Sequence, residues 1–478
     1  MPVHAAHLID GRWVEGAERR PVHDPTDGSE VGTLAVGSGS EPGSAADAAA
    51  RAASSWGDLP ARSRSKMLLA AADLVDERSE DLGLLLAREA GKRLPEAVGE
   101  VRFSAEYFRW FAEEARRPHG AVHPHEAVGR RHLSVRRPAG VVACLTPWNF
   151  PCSIQARKLA PALAAGCTVV ARVSEKAPLA VTEMIRCLVD AGVPDGVVNL
   201  VHGRAAAVTE ALMAHPAVRV VSFTGSTGVG QLVMRQAAGR VVRPLLELGG
   251  NAPFIVFEDA DLDAAVEGAM LARFRNTGQS CIGANRFLVH RDIMDEFASR
   301  FAAQVDAMTI GPGAVPDPPD LGPCIDAERV AAVTQLVDEA EAAGARRLTR
   351  RRELPDGGAF CEPALLTDVP TGCGLATTEI FGPAAGLFPF SDEREAMELA
   401  NATEMGLAGY VYTRDQGRVW RVADVLDTGI IGVNDPLPSV AFAPMGGTKQ
   451  SGIGREGGAA GLEEFQQTRY LAIGGVGV

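Results

Sequence analysis

Apolar and polar positions repeat along the chain with two different periods. Leu68, Ala71, Ala72 and Val75 recur at i, i+3, i+4 and i+7, so residues 65–88 are predicted to form an amphipathic helix. A second helix of the same kind is expected from Glu96 through Trp110 to Arg116. Short β-branched runs follow at residues 140–145, 168–172, 197–201 and 218–223, each ending in a turn or helix signal. After Leu248-Gly249-Gly250 a second series begins, with strands expected at 253–257, 286–290 and 408–412. Alternation of strands with crossover helices predicts parallel sheets, and the fold class expected is α/β with two doubly wound domains.

Two segments break the rhythm. Residues 118–137 are poor in aliphatics and rich in His and Pro, which suggests a small β bridge or hairpin leaving the first domain. Residues 311–323 hold five prolines and three glycines and are expected to be an exposed loop.

Composition narrows the function classes. The 478 residues carry 47 Lys+Arg against 60 Asp+Glu, a net charge of −13, which argues against a nucleic-acid or anionic-membrane binder. The run Arg346, Arg347, Arg350, Arg351, Arg352 is expected to be a solvated helix end and loop. No apolar stretch reaches membrane-spanning length and the N-terminus lacks a leader pattern, so a cytoplasmic address is expected. The eight cysteines are scattered, without a Cys-x-x-Cys, and read as reduced thiols, mostly core residues.

The candidate chemistry sits in glycine-rich turns. Gly452, Gly454 and Gly457 fit G-x-G-x-x-G, but no strand is predicted before them, so a pyrophosphate loop is not expected there. The stretch from Val221 to Gly230 is better placed, because a β-rich run ends in glycines and opens a helix near Ser226, where backbone N–H groups can receive a phosphate; a plain strand-to-helix turn reads equally well. Cys281 is flanked by Gly278, Gln279, Ser280 and Gly283 rather than by apolar residues, which marks it as a candidate nucleophile beside the commoner inert role. Glu247 and Glu379 each lie beside glycines, a sign of backbone crowding near a site. His119, His123 and His125 lack a partnering cysteine cluster, and no metal site is expected.

Thr146-Pro147-Trp148-Asn149-Phe150-Pro151, Phe223-Thr224-Gly225-Ser226-Thr227, Glu247-Leu248-Gly249-Gly250, Gly278-Gln279-Ser280-Cys281 and Glu379-Ile380-Phe381-Gly382-Pro383 stand in one order. Together they resemble the NAD(P)-dependent aldehyde dehydrogenase superfamily over essentially the whole chain. The stretches 248–263 and 446–457 look most like its succinate-semialdehyde dehydrogenase branch. The resemblance implies an NAD(P)-binding domain at 1–117 and 138–248, a catalytic domain at 249–446, and a bridging or oligomerisation element at 118–137 and 458–478. It implies that Cys281 attacks the aldehyde to give a thiohemiacetal and then a thioester, that Asn149 and the Cys281 N–H hold the oxyanion, and that Glu247 activates the deacylating water.

Cofactor contacts implied in the same way are Thr146, Pro147, Trp148, Arg172, Ser174, Glu175, Gly225, Ser226, Gly230, Leu248, Glu379 and Phe381. NAD is favoured over NADP because Glu175 would repel a 2′-phosphate, while Arg172, in place of the family's lysine, could attract one. Arg157, Arg275 and Ser439 match the branch's anion clamp, and Phe150 and Phe442 are expected beside the substrate, so the aldehyde is expected to be anionic, succinate semialdehyde first. Glutarate semialdehyde, a phosphonate-bearing or a neutral aldehyde, acyl transfer to coenzyme A and a non-catalytic role are the rival readings. Gly283 stands where many branch members carry a second cysteine, which removes a disulfide switch at Cys281. A homodimer or homotetramer is expected.

Overall fold

The computed structural model describes residues 3–117 and 120–475; His119 lies outside the described residues, as do Pro118 and residues 476–478 of the bridging segments. Two large sheets dominate. In the first, the parallel strands start at the centre with Val141–Leu145, whose five residues are all buried. The chain builds outward through Thr168–Arg172 and Val198–Leu200, then crosses back to lay Val218–Thr224 and Arg243–Glu247 on the other side, all five strands parallel. Antiparallel strands close both ends, His7–Ile9 with Arg12–Val14 at one and Gly452–Ile453 at the other. The winding reverses between Val141–Leu145 and Val218–Thr224, which opens a crevice at their carboxyl ends, the place where doubly wound sheets receive ligands. Thr146 to Asn149 leave one of those ends, Gly225 and Ser226 the other.

The second sheet runs Arg346–Arg347, Ala364–Thr367, Ala384–Phe390, Ala284–His290, Ala252–Val256, Ala408–Tyr412, Ile430–Val433, parallel except at its first pair. A three-stranded antiparallel sheet joins Gly120–His123, Arg130–Pro138 and Gln466–Gly474, the last of which pairs on one side only among the described residues. His123 there faces Ser134 across the hairpin at 2.6 Å, and no described group of three or more His, Cys, Asp or Glu side chains could hold a metal. No described helix is long and apolar enough to cross a membrane.

Three expectations need correction. The helix predicted over 65–88 is two helices, Ala61–Glu77 and Ser79–Ala90, because Arg78 leaves helical geometry at φ −96°, ψ 9° and binds Asp190 at 2.8 Å. The segment 311–323 is a loop, but its end is buried: Leu94 N–H donates to Gly313 O at 2.9 Å and Thr277 Oγ1 donates to Gly322 O at 3.1 Å, so it braces the loop that carries Cys281. The basic run is solvated at Arg346, Arg350 and Arg351, as expected, but it is not a helix end. Arg346–Arg347 forms an edge strand, and Arg347 pairs with Glu341 at 2.7 Å and Glu362 at 3.2 Å while Arg352 lies 3.6 Å from Asp306.

Candidate active site

Cys281 belongs to the walls of two cavities. Its loop is held in a costly conformation. After the helix Leu262–Phe274 the chain makes a tight turn in which Asn276 (φ 54°) and Thr277 (φ 55°) are left-handed, a state that costs a non-glycine residue roughly 1–3 kcal/mol and persists only where contacts over-determine it. The contacts are present. Asn276 N–H donates to Glu96 Oε2 at 3.0 Å and its side-chain amide to Asn149 O at 3.0 Å. Arg273 Nη2 donates to Gly278 O at 2.6 Å, and Ile325 N–H to Gln279 Oε1 at 2.9 Å. A Cβ on Gly278 would lie 2.2 Å from Gly382 O, so only glycine fits there.

The glycines after Glu247 have the crowding that the sequence suggests. A Cβ on Gly249 would lie 2.6 Å from Glu379 Oε2 and one on Gly250 would lie 2.5 Å from Cys281 O, while Gly250 N–H donates to Glu379 Oε1 at 3.2 Å. One backbone turn thus touches both the candidate nucleophile and Glu379. Burial pushes the Glu379 carboxyl up to about 7, against the pull of the Gly250 N–H and of Arg273 and Arg329.

Asn149 is buried, and its amide nitrogen donates to Gln279 O at 3.1 Å, leaving a second N–H free and Oδ1 without a partner. Burial pushes the Cys281 thiol up to about 12; Glu379 and Glu247 raise it further and Arg157 opposes them. Glu247 ends its strand buried, outside both cavity walls, with Oε2 making no hydrogen bond among the described residues. Burial, then the Glu456 carboxylate, raise its proton affinity well above the usual carboxylate range. Glu456 is held by Lys158 Nζ at 2.6 Å, with Arg157 Nη1 3.7 Å away, and Lys158 also donates to Ser222 Oγ at 3.0 Å. A buried carboxyl beside a buried carboxylate is a strong proton acceptor once it ionises.

The first cavity, about 370 Å³, is lined by Phe150, Arg157, Arg275, Ser439 and Cys281, and by Glu96 and Phe103 from the helix Leu94–Glu114. Arg157 is buried with Nε unpartnered. Arg275 stacks over the Phe150 ring at 5.0 Å and makes no ion pair among the described residues. Phe442 is not in this wall. It is 62% exposed and packs against Trp110 at 6.2 Å between ring centroids, because the turn after Ser439 carries it outward.

The second cavity, about 230 Å³, is lined by Pro147, Trp148, Gly225, Ser226, Leu248, Glu379 and Phe381, seven of the twelve residues expected at the cofactor. Trp148 and Phe381 meet edge to face at 5.5 Å. Ser226 caps the helix Thr227–Ala238 without a side-chain bond to it, so its hydroxyl is free. Thr146 and Gly230 lie behind the wall: Thr146 Oγ1 bonds Gln155, and a Cβ on Gly230 would strike Leu248 at 2.4 Å. Arg172, Ser174 and Glu175 form a separate group at the next strand end. The polar atoms left over suit a dinucleotide: Arg172 Nε, Glu175 Oε1 and Thr224 Oγ1 are buried and make no hydrogen bond among the described residues.

Arg329 was not legible in the sequence. It reaches the second cavity from the start of the helix Ala327–Ala342, the only basic side chain in that wall, with Nε unpartnered. It stands in an ordinary amphipathic helix, with no motif around it. Lys158, in the wholly buried helix Pro151–Ala165, and Glu456, in the glycine run, gain their roles only from their mutual contact 298 positions apart in sequence. That run has a packing purpose, since a Cβ on Gly452 would lie 1.9 Å from Leu246 O.

A family model described as "Aldehyde dehydrogenase family" matches residues 13–471. The chain is 42% identical over 469 residues to the succinate-semialdehyde dehydrogenase GabD of Escherichia coli (strain K12), named for NADP(+), with 98% of this chain and 97% of that protein covered. It is 44% identical over 471 residues to the 3-sulfolactaldehyde dehydrogenase of Pseudomonas putida, with the same shares covered. The crystal structure of succinate-semialdehyde dehydrogenase from Burkholderia pseudomallei superimposes with a TM-score of 0.96 at 43% identity, covering 99% of this chain and 98% of that one.

Proposed function

The chain belongs to the aldehyde dehydrogenase family, and from that premise we propose that it oxidises a short aldehyde bearing a terminal anion, succinate semialdehyde first, to the carboxylic acid. Cys281 gives up its thiol proton to solvent, its Sγ bonds to the aldehyde carbon as the carbonyl electron pair moves onto oxygen, and the free N–H of the Asn149 amide receives that oxyanion. Collapse of the adduct expels a hydride and leaves the thioester. The nicotinamide cofactor, when bound, supplies the hydride acceptor. Pro147, Trp148, Gly225, Ser226, Leu248, Glu379 and Phe381, with Arg329, are the residues that would hold it. Glu247 takes the proton of the water that opens the thioester, and its raised proton affinity suits a base. Both NAD and NADP are within the family's chemistry, with NAD preferred if Glu175 acts as a free carboxylate.

The observation that carries the substrate reading is Arg275. Its guanidinium makes no ion pair among the described residues and lines the same cavity as Cys281, with the unpartnered Arg157 Nε and Ser439 beside it. Forked donors suit a carboxylate, sulfonate or phosphonate. A hydrogen bond to a charged group contributes about 1.5–3 kcal/mol, so Arg275→Ala should lower kcat/KM for succinate semialdehyde about 10–150-fold and leave butyraldehyde nearly unchanged. Equal losses on both would refute the anion clamp. The one-sided pairing of Gln466–Gly474 supports a homodimer, in which that edge finds a second copy, and the free thiols suit a reducing, cytoplasmic setting.

A further inference from the structure

Beyond the end of Thr168–Arg172 an ion cluster reaches outside the doubly wound sheet. Glu175 Oε2 accepts a 3.0 Å hydrogen bond from Arg20 Nη1, and Glu175 Oε1 lies 3.6 Å from Arg172 Nη2. Arg20 comes from Glu18–His23, a strand of the small sheet that also holds Val3–Ala5 and Glu30–Val36. Arg172 Nη2 donates in addition to Gly203 O at 3.2 Å, while Arg172 Nε and Glu175 Oε1 are buried and make no hydrogen bond among the described residues. The neighbouring cation Lys176 is occupied by Asp326. One carboxylate between two guanidiniums leaves this corner with a net positive charge.

A free carboxylate at such a strand end accepts the adenosine ribose hydroxyls and repels a 2′-phosphate. Here the carboxylate is not free. We propose that Arg20 is a specificity-determining residue for the cofactor: its pairing with Glu175 cancels the charge that would exclude a 2′-phosphate, so the site admits NADP as well as NAD. Glu175 Oε1 stays available to a ribose hydroxyl, and Arg172 Nε to a phosphate oxygen. The inference rests on the reading that Glu175 faces the ribose.

Calorimetric titration with NAD+ and with NADP+, without aldehyde, tests it. Arg20 and Glu175 are 48% and 27% exposed at their side chains, so screening limits the effect. Arg20→Ala should raise the Kd of NADP+ about 3–10-fold and that of NAD+ less than twofold, and Arg20→Lys should retain most of the NADP+ affinity. Arg19→Ala, which removes the same charge from a residue paired with Glu15 at 2.9 Å, should move neither by more than twofold. The proposal is overturned if Arg20→Ala weakens both cofactors equally, if it leaves NADP+ unchanged, or if the unaltered protein binds no NADP+ at millimolar concentration. Glu175→Gln separates the two layers. An unchanged NAD+ affinity in that variant would sink the ribose reading itself, whereas a loss there with no effect of Arg20→Ala would sink the role of Arg20 alone.

Discussion

The Asn149 amide and the Gln279 carbonyl are joined by a 3.1 Å hydrogen bond that ties the crevice of the first sheet to the loop carrying Cys281. Because Gln279 takes one N–H of that amide, the other is held in a fixed direction, which is what a preorganised oxyanion donor needs. Asn149→Ala should therefore lower kcat about 100–1,000-fold while leaving Cys281 open to alkylation. A loss smaller than tenfold would remove Asn149 from the oxyanion site.

The thiol of Cys281, pushed up to about 12 chiefly by burial, is neutral in the resting protein. A raised thiol pKa favours the protonated form, so below that value the thiolate fraction grows about tenfold per pH unit. Alkylation of the cofactor-free protein by iodoacetamide should rise accordingly from pH 7 to pH 9. Arg157→Ala removes a cation that opposes the shift and should slow the reaction at every pH; a flat profile, or no change in the variant, would contradict this assignment.

Parallel strands separated by helices, and motifs crowded with glycine, made the two sheets and most of the site legible. Val141–Leu145, Thr168–Arg172 and Ala408–Tyr412 appear within a residue of their expected bounds because each is a fully apolar or nearly apolar run flanked by turns. Phe442 was misread because a loop side chain has no period to fix its direction. Arg329, Arg20 and Glu456 were invisible for a different reason: each acts on a residue more than 30 positions away, a relation created by tertiary packing and absent from local pattern. At the break, Arg78 also pairs with Asp190, 112 positions along, while Ser79, Glu80 and Asp81 open the second helix with polar and acidic residues that suit a helix start.

Lys158 holds Glu456 beside Glu247 in a buried cluster. Lys158→Met would leave that carboxylate poorly compensated, at a cost of about 3–5 kcal/mol in stability, seen as a lower melting temperature. The sign for Glu247 follows from the same charges. Lys158 lowers and Glu456 raises its proton affinity, so losing the lysine raises it further, and the deacylation-limited rate should climb at higher pH than in the unaltered protein. An unshifted profile would mean that Glu247 does not feel this pair.

The outer edge of Gln466–Gly474, unpaired among the described residues, predicts association through the small sheet, with Tyr470, Leu471 and Ile473 exposed along it. Light scattering at micromolar concentration should give at least a dimer, and Leu471→Pro, which interrupts an edge strand, should weaken it. A monomeric unaltered protein would contradict the pairing.

The most direct test of the account is the mass of Glu247→Gln after mixing with succinate semialdehyde and NAD+. If Cys281 forms the thioester and Glu247 opens it, the variant should give a burst of reduced cofactor and then retain one succinyl group, mapped to the peptide containing Cys281 and absent from the Cys281→Ala, Glu247→Gln double variant. An unmodified protein that turns over steadily, or a succinyl group on any other residue, would contradict it.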